Sequence, residues 1–371
     1  MKPVLLLMCL VWSAAAGAAG APPAASQPAS AYARAEAVLS AGDPAGAIRL
    51  LEAVPEPDRD LGTLLLLGRA HLDGRNLPEA RRCFRAATER GPRSAEAHYW
   101  LGRVYLLGER FALAAEALET AEVLGLNSAG LHLSLATAYF RLGNHTGPPA
   151  APRRVLGGVP GRIVQGVYVI EQVPERDGRF HVAGRRSALF HARAALDAEP
   201  DNVAARLLLA DIWLATRRPG RARAAYAGVE DRVPEEQQAD YYHRYAQACL
   251  GAEDMGGYLR CFREAAARDA ERYGAGLAEA YRRVAERYGA EGDLDNYIRH
   301  LELALREAPA SAELHYTLGN ACFEAGRRQD ASRHWRITLE LKPGHPDRAR
   351  MLELVRIITT ETGGPPGTGG R

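Results

Sequence analysis

The chain has 371 residues and a net charge of +2, with 47% hydrophobic and 25% charged residues. These values are ordinary for a folded protein and exclude a chain that is disordered throughout. Proteins that bind nucleic acids usually carry a clear basic excess, so a charge this small predicts no nucleic-acid partner.

The first residues have the order of a targeting segment. An apolar run from Val4 to Trp12 is followed by small residues from Ser13 to Ala21. This order is typical of a secretory signal peptide, and cleavage is expected after Ala18. The apolar run is too short to span a bilayer. We therefore predict a signal peptide over residues 1–18, a flexible linker over 19–30, and a periplasmic or extracellular location without an integral membrane span.

An internal repeat organises most of the chain. Three units share a glycine, an alanine twelve residues later and a large side chain four residues after that: Gly68, Ala80 and Phe84; Gly102, Ala114 and Leu118; Gly319, Ala331 and Trp335. Small residues let two antiparallel helices approach closely, and the large residue fills the space around that contact. A single helix pair cannot bury its own apolar face, so successive pairs are expected to stack.

These spacings resemble the tetratricopeptide repeat, a helix–turn–helix unit of about 34 residues. The resemblance implies an all-α fold, a right-handed superhelical solenoid of about eight such units. We expect N-terminal units over residues 31–143 and C-terminal units over residues 187–343. A capping helix over residues 344–360 and a disordered tail over residues 361–371 complete the predicted organisation.

The fourth unit is interrupted by a long insertion. Its small residue is expected twelve places before Pro200, at Ala188, whereas an uninterrupted unit would carry it at position 148. The inserted loop, residues 144–186, carries seven arginines and three acidic residues. Two β-prone segments, Gly166–Val173 and Arg179–Ala183, flank a turn that contains Asp-Gly. This pattern predicts a small β-hairpin.

The sequence shows no pattern of catalytic or metal-binding residues. It lacks a phosphate-binding loop, a His-Glu-x-x-His motif and a nucleophile elbow. His98, His132 and His315 recur at the fourth place of a unit, but successive packed helices lie about 10 Å apart, too far for three rings to bind one ion. We expect these rings to pack between helices, and we predict no enzyme activity, no cofactor and no metal.

Four cysteines follow the predicted signal peptide. Cys249 and Cys261 fall at similar heights on the two helices of one unit. A disulfide between them is permitted in an exported protein, but free buried thiols that pack as small apolar residues are the default expectation.

The resemblance also implies where a partner binds. In such stacks the first helix of each unit lines a concave groove, chiefly with its second, fifth, ninth and twelfth residues. The groove residues at those places are Leu65, Arg69, Leu72, Tyr99, Arg103, Leu106, Leu133, Phe140, Leu207, Asp211 and Leu214. An apolar trough edged by two arginines suits an extended or helical peptide. An alternative occupant of the trough is the chain's own insertion.

The combined features favour a non-catalytic scaffold of the cell envelope that holds a protein or peptide partner. Basic and aromatic residues of the insertion are expected to contribute contacts and to favour an acidic partner: Arg162, Tyr168, Arg176, Arg179 and Phe180. The alternative is an envelope protein that binds a ligand or glycan, or an accessory factor for polysaccharide or outer-membrane export.

Overall fold

The structure of the chain is a computed structural model. The described residues are 31–146, 163–165, 168–171, 181–184 and 186–361. The predicted signal peptide, the linker and nearly all of the predicted tail lie outside them. The chain divides into two compact units, residues 1–217 and residues 218–371.

Helices of the first unit follow one another in pairs. Their bounds are α1 Ala31–Ser40, α2 Pro44–Glu52, α3 Leu61–Asp73, α4 Leu77–Arg90, α5 Ala95–Leu107, α6 Phe111–Val123, α7 Ala129–Arg141, α8 Ala188–Ala198 and α9 Val203–Ala215. Helix α1 packs on α2, α3 on α4, α5 on α6 and α7 on α8. Each of these pairs therefore has the helix–turn–helix form that the repeat predicts.

Polar caps and turns set the helix ends. The residue before α3, α5 and α7 accepts a hydrogen bond from a backbone N–H in the first turn, in the pairs Asp60–Thr63, Ser94–Ala97 and Ser128–Leu131. A cap of this kind stabilises a helix by about 1 kcal/mol. Between the two helices of a pair, one turn residue adopts a positive φ: Arg75 at 58°, Glu109 at 56° and Gly143 at 77°.

The core of each pair forms where a small residue faces a large one. A Cβ atom added to Gly68 of α3 would stand 2.7 Å from the ring of Phe84 on α4. Ala80 and Ala87 of α4 are fully buried beside that ring. The close approach that the repeated spacing predicts is confirmed here, because no larger residue would fit at Gly68.

Helices α7 and α8 form a pair although residues 142–187 separate them in the chain. The backbone N–H of Ala188 donates to the carbonyl of Asn144, and that of Leu189 donates to the carbonyl of His145, each at 2.9 Å. The two ends of this connection therefore meet at the turn between the helices.

Three short strands lie within the connection: β1 Ile163–Gln165, β2 Tyr168–Glu171 and β3 His181–Gly184. They form an antiparallel sheet in the order β1-β2-β3, in which Ile163 pairs with Ile170 and Tyr168 pairs with Gly184. Strand β1 was not expected from the sequence. Residues 172–180, which hold the expected turn, lie outside the described residues, so the hairpin stays a prediction.

The second unit continues the helical pattern. Its helices are α10 Pro219–Tyr226, α11 Glu235–Gly251, α12 Met255–Arg268, α13 Ala270–Tyr273, α14 Leu277–Ala290, α15 Leu294–Glu307, α16 Ala312–Glu324, α17 Arg328–Leu341 and α18 Arg348–Glu361. Helix α11 pairs with α12, α14 with α15 and α16 with α17. The last helix, α18, packs on α17 and buries Met351 and Ile358 in a core that contains Trp335. No helix within the described ranges is long and apolar enough to cross a membrane.

All four cysteines of the described residues are free and buried. Cys249 on α11 and Cys261 on α12 stand close enough for their thiols to hydrogen-bond. This contact and burial raise the pKa of the Cys249 thiol. The structure therefore holds the two residues as paired thiols.

Candidate functional site

The first helices of the N-terminal unit form a continuous layer, because α1 contacts α3, α3 contacts α5, α5 contacts α7, and α7 contacts α9. We use the name first-helix surface for the partly exposed side chains that this layer presents at the predicted groove places: Arg69, Leu72, Tyr99, Arg103, Leu133, Phe140, Asp211 and Leu214. These are eight of the eleven residues that the sequence assigned to the groove.

The other three groove residues, Leu65, Leu106 and Leu207, are buried, with exposed fractions of 9%, 5% and 2%. Neighbouring first helices stand close enough to contact one another, so a side chain that points between them loses its exposure. Their assignment to the groove surface is therefore corrected: they support this surface from inside and offer almost no area to a partner.

Arginine and aromatic side chains form a cluster on the first-helix surface. The guanidinium carbon of Arg103 lies 4.8 Å from the ring centre of Trp100 and 5.7 Å from that of Tyr99. Arg69 approaches the same Trp100 ring from α3, at 5.6 Å. The Trp100 ring stacks in turn on Phe84 of the core, with centres 5.9 Å apart. The buried Phe84 ring thus supports the cluster from the core. The sequence pattern did not select Trp100, because this residue does not fall at the second, fifth, ninth or twelfth position of its helix.

This arrangement suits binding of acidic and apolar groups together. A guanidinium that lies over an aromatic ring can still donate in its own plane, and the planar fork of Arg103 matches the two oxygens of a carboxylate. Tyr99, which Arg103 approaches, supplies aromatic area beside this guanidinium, and Phe140 supplies aromatic area on α7; both rings are partly exposed.

For the predicted contact residues of the insertion, the structure describes no side chain. Arg162, Arg176, Arg179 and Phe180 lie outside the described residues. Tyr168 begins strand β2, where the structure describes the backbone alone.

A second cluster lies where the insertion leaves the helices. Glu122 near the end of α6, His132 on α7 and His191 on α8 each place one metal-ligating atom within 4.8 Å of the other two. The Nδ1 atoms of His132 and His191 are 3.0 Å apart, and Nε2 of His132 donates to Oδ1 of Asn127 at 2.7 Å. Both rings are buried, whereas Glu122 is partly exposed.

Hydrogen bonds to a second carboxylate surround this cluster. Tyr139 of α7 stacks on His191, with ring centres 5.6 Å apart, and donates its hydroxyl to Glu119 of α6. Glu119 also forms an ion pair with Arg186, at 2.9 Å. Burial and the hydrogen bond to Glu119 raise the pKa of Tyr139, so this hydroxyl stays protonated as a donor. The network links α6, α7 and the chain just before α8.

The repeated histidines have different partners. In His98 and His315, Nε2 lies 3.1 Å from the carbonyl oxygen of Pro92 and Pro309 respectively, in the loop before the helix. These two rings fasten a loop to the helix that follows it. His132 instead donates from Nε2 to the side chain of Asn127, while its Nδ1 contacts His191 in the way that Nδ1 of His315 contacts His334. Sequence reasoning missed His191 because the insertion separates it from His132 by 59 residues.

Comparison with protein families supports the resemblance to the tetratricopeptide repeat. The family model described as tetratricopeptide repeat matches residues 65–128 and 184–236. These segments include α5, α6, α8 and α9, and they lie on either side of the insertion. No curated protein sequence matches the chain.

Solved structures with a similar helical arrangement include several repeat proteins. YrrB, described as a TPR protein with an unusual peptide-binding site, is 16% identical and aligns over 59% of this chain and 92% of its own, with a TM-score of 0.41. A thermophilic TPR protein from Thermus thermophilus is 22% identical over 59% of this chain and 97% of its own, with a TM-score of 0.38. The C-terminal part of a TPR protein from Cytophaga hutchinsonii is 9% identical over 86% of this chain and 99% of its own, with a TM-score of 0.43. Since these TM-scores stay below 0.5, we draw no conclusion on function from them.

Proposed function

We propose that this protein is a non-catalytic interaction scaffold, exported to the cell envelope, that binds a protein or peptide partner on its first-helix surface. The observation that carries the proposal is the cluster in which Arg69 and Arg103 lie over Trp100 and Tyr99. Export rests on the signal-peptide pattern over positions 1–18.

The cluster has the composition of a binding hot spot. Tryptophan, tyrosine and arginine are enriched among the residues that contribute most to protein–protein affinity. Here the rings and guanidinium groups already contact one another, so a partner that docks on them immobilises fewer free rotamers. Two arginines beside aromatic area favour a partner segment that carries both acidic and apolar side chains.

The insertion is proposed as a second contact of the same partner. Helix α7 contributes Leu133 and Phe140 to the first-helix surface and leads directly into the insertion. The ring of Phe140 lies 5.1 Å from the ring of His145, in the first described residues of the connection. The insertion therefore starts beside the first-helix surface, and its seven arginines would attract an acidic partner.

Site-specific crosslinking tests this proposal. A photo-reactive amino acid replaces Tyr99 on the first-helix surface, and in a separate variant it replaces Glu116, an exposed residue of α6. The proposal predicts that the variant at position 99, expressed in its own cell envelope, yields one dominant protein adduct. The variant at position 116 should not yield that adduct. If both positions give the same adducts, or neither gives any, the proposal is wrong.

The same preparation distinguishes the alternative of a ligand- or glycan-binding protein. A soluble anionic glycan that binds the folded state raises the melting temperature by mass action. Stabilisation by such a glycan, together with no protein adduct at position 99, would favour that alternative.

A further inference from the structure

We propose that Glu122, His132 and His191 form a zinc site that ties α6, α7 and α8 together at the base of the insertion. The three residues come from three successive helices, and one ligating atom of each lies within 4.8 Å of the others. Two imidazole nitrogens and one carboxylate oxygen form a donor set that suits Zn²⁺, with the fourth position left for water.

The spacing of the two rings is close to the spacing of zinc ligands. Nitrogen atoms that bind zinc at about 2.0 Å with tetrahedral angles are about 3.3 Å from each other. The Nδ1 atoms of His132 and His191 are 3.0 Å apart and share a hydrogen bond, so a zinc ion would replace the proton between them and both rings would turn to direct their lone pairs at it. A carboxylate oxygen of Glu122 lies within 4.8 Å of a nitrogen of each ring, and this side chain is partly exposed.

Asn127 holds His132 in the tautomer that a metal requires. Its Oδ1 accepts a hydrogen bond from His132 Nε2 at 2.7 Å, which places the ring proton on Nε2 and leaves a lone pair on Nδ1. A hydrogen bond of this kind on the far nitrogen is the usual support for a histidine that binds a metal. In the hydrogen bond between the two rings the Nδ1 lone pair of His132 accepts from Nδ1 of His191, so His191 would give up its Nδ1 proton to bind zinc.

The chain contains a natural control for this site. His315 and His334 occupy the corresponding places of a later helix pair, and their Nδ1 atoms are also 3.0 Å apart. The residue ten positions before His315 is Leu305, whereas the residue ten positions before His132 is Glu122. Leu305 packs against the apolar core and offers no ligand. The pair of rings therefore occurs twice, and within the described ranges only the pair of His132 and His191 has a carboxylate oxygen within 4.8 Å of a nitrogen of each ring.

A zinc ion there would have a structural consequence. The helices α7 and α8 are held together across a long insertion by packing and by the backbone hydrogen bonds of Ala188 and Leu189. A metal bound by both helices and by α6 would hold together the two helices that the insertion joins, because a ligand that binds the folded chain adds its binding free energy to folding.

Zinc titration of the chain without residues 1–18 tests the site. The protein is first freed of metal with a chelator and then titrated with ZnCl₂ by calorimetry. We expect one zinc per chain and a higher melting temperature with zinc than without it. Co²⁺ in place of zinc should give the visible absorption of a four-coordinate site.

Four variants decide the assignment. Glu122→Gln and Glu122→Leu, which copies Leu305, should weaken zinc binding by about tenfold or more, as should His191→Ala. His334→Ala, in the control pair, should bind zinc like the parent chain. Circular dichroism checks folding, and if His191→Ala does not fold, the two variants of the partly exposed Glu122 decide. The assignment is overturned if the parent chain binds no zinc, if the Glu122 variants keep full affinity, or if His334→Ala loses zinc equally.

Discussion

Gly102 of α5 and Leu118 of α6 stand so close that a Cβ atom on Gly102 would lie 2.6 Å from Cγ of Leu118. Leu118 is fully buried, and its branched end fills the place that a larger residue at position 102 would need. The same contact joins Gly319 to Trp335, also at 2.6 Å. The two helices of a pair lie so close together that this position of the repeat requires a small residue.

The first prediction concerns this contact. Gly102→Ala should lower the free energy of unfolding by about 1–3 kcal/mol, because the added methyl group overpacks the α5–α6 contact. The matched control is Gly220→Ala on α10, where an added Cβ meets no atom of the described residues within 4 Å. The control should be neutral or stabilising by up to about 1 kcal/mol, since alanine favours helix. Urea unfolding measures both, and equal effects would contradict the packing argument.

A second prediction concerns the turn between paired helices. Glu109 has a φ of 56°, whereas Gly326, at the same place of a later pair, has a φ of 75°. A left-handed conformation costs a residue with a Cβ about 1–2 kcal/mol. We expect Glu109→Gly to raise the free energy of unfolding by about 1 kcal/mol and Gly326→Ala to lower it by a similar amount. Thermal unfolding of both variants checks this, and a loss of stability in Glu109→Gly would show that strain at this turn is absent.

These two features show what the repeat pattern could and could not predict. The glycine–large residue contact followed from spacing alone, because Gly68, Gly102 and Gly319 repeat with their partners at fixed intervals. The left-handed turn residue did not, since Arg75 and Glu109 are residue types that give no sign of a positive φ.

The residues of the candidate sites also include some that the sequence spacing predicted and some that it could not predict. Counting places along the first helices found Arg69 and Arg103, but it also selected Leu65, which the neighbouring helix buries. The histidine cluster could not be found by counting, because its members lie in three helices and the insertion breaks the register between His132 and His191. Contacts between side chains of different helices depend on how the helix pairs pack against one another. The residue spacing within one repeat unit does not predict them.

The third prediction is a pH effect on stability. Burial lowers the pKa of His71 on α3, and the attraction of Glu52 only partly opposes this. An unfolded histidine has a pKa of about 6.5, so below about pH 7 the unfolded chain takes up a proton more readily than the folded one. The free energy of unfolding should therefore fall as the pH decreases through this range. Because His243 and His334 also have lowered pKa values, part of the effect should remain when His71 is replaced.

The variant His71→Phe isolates the contribution of this residue. It keeps an aromatic ring in the buried position but cannot bind a proton. Urea unfolding at about pH 7.5 and about pH 5.5 should show a smaller loss of stability in the variant than in the parent chain. An identical loss in both would mean that His71 takes no part in the pH dependence.

The fourth prediction concerns the insertion. Residues 147–185 are replaced by a short Gly-Ser linker that leaves Arg186 in place. Because the amides of Ala188 and Leu189 bond to the carbonyls of Asn144 and His145, the ends already meet and the linker has little distance to span. Helicity by circular dichroism should be preserved, whereas binding of the crosslinked partner should weaken by about tenfold or more. Unchanged affinity and salt dependence would show that the insertion does not contact the partner.

The most direct test of the scaffold function is the affinity of the purified partner for three single variants, measured by calorimetry. Arg103→Ala and Phe140→Ala each remove a side chain of the first-helix surface, whereas Leu113→Ala removes an exposed leucine of α6. Loss of a hot-spot residue costs about 2 kcal/mol or more, so the first two variants should raise Kd by at least about tenfold. Leu113→Ala should leave Kd within about twofold of the parent value. Equal Kd values for all three variants would contradict binding at the first-helix surface.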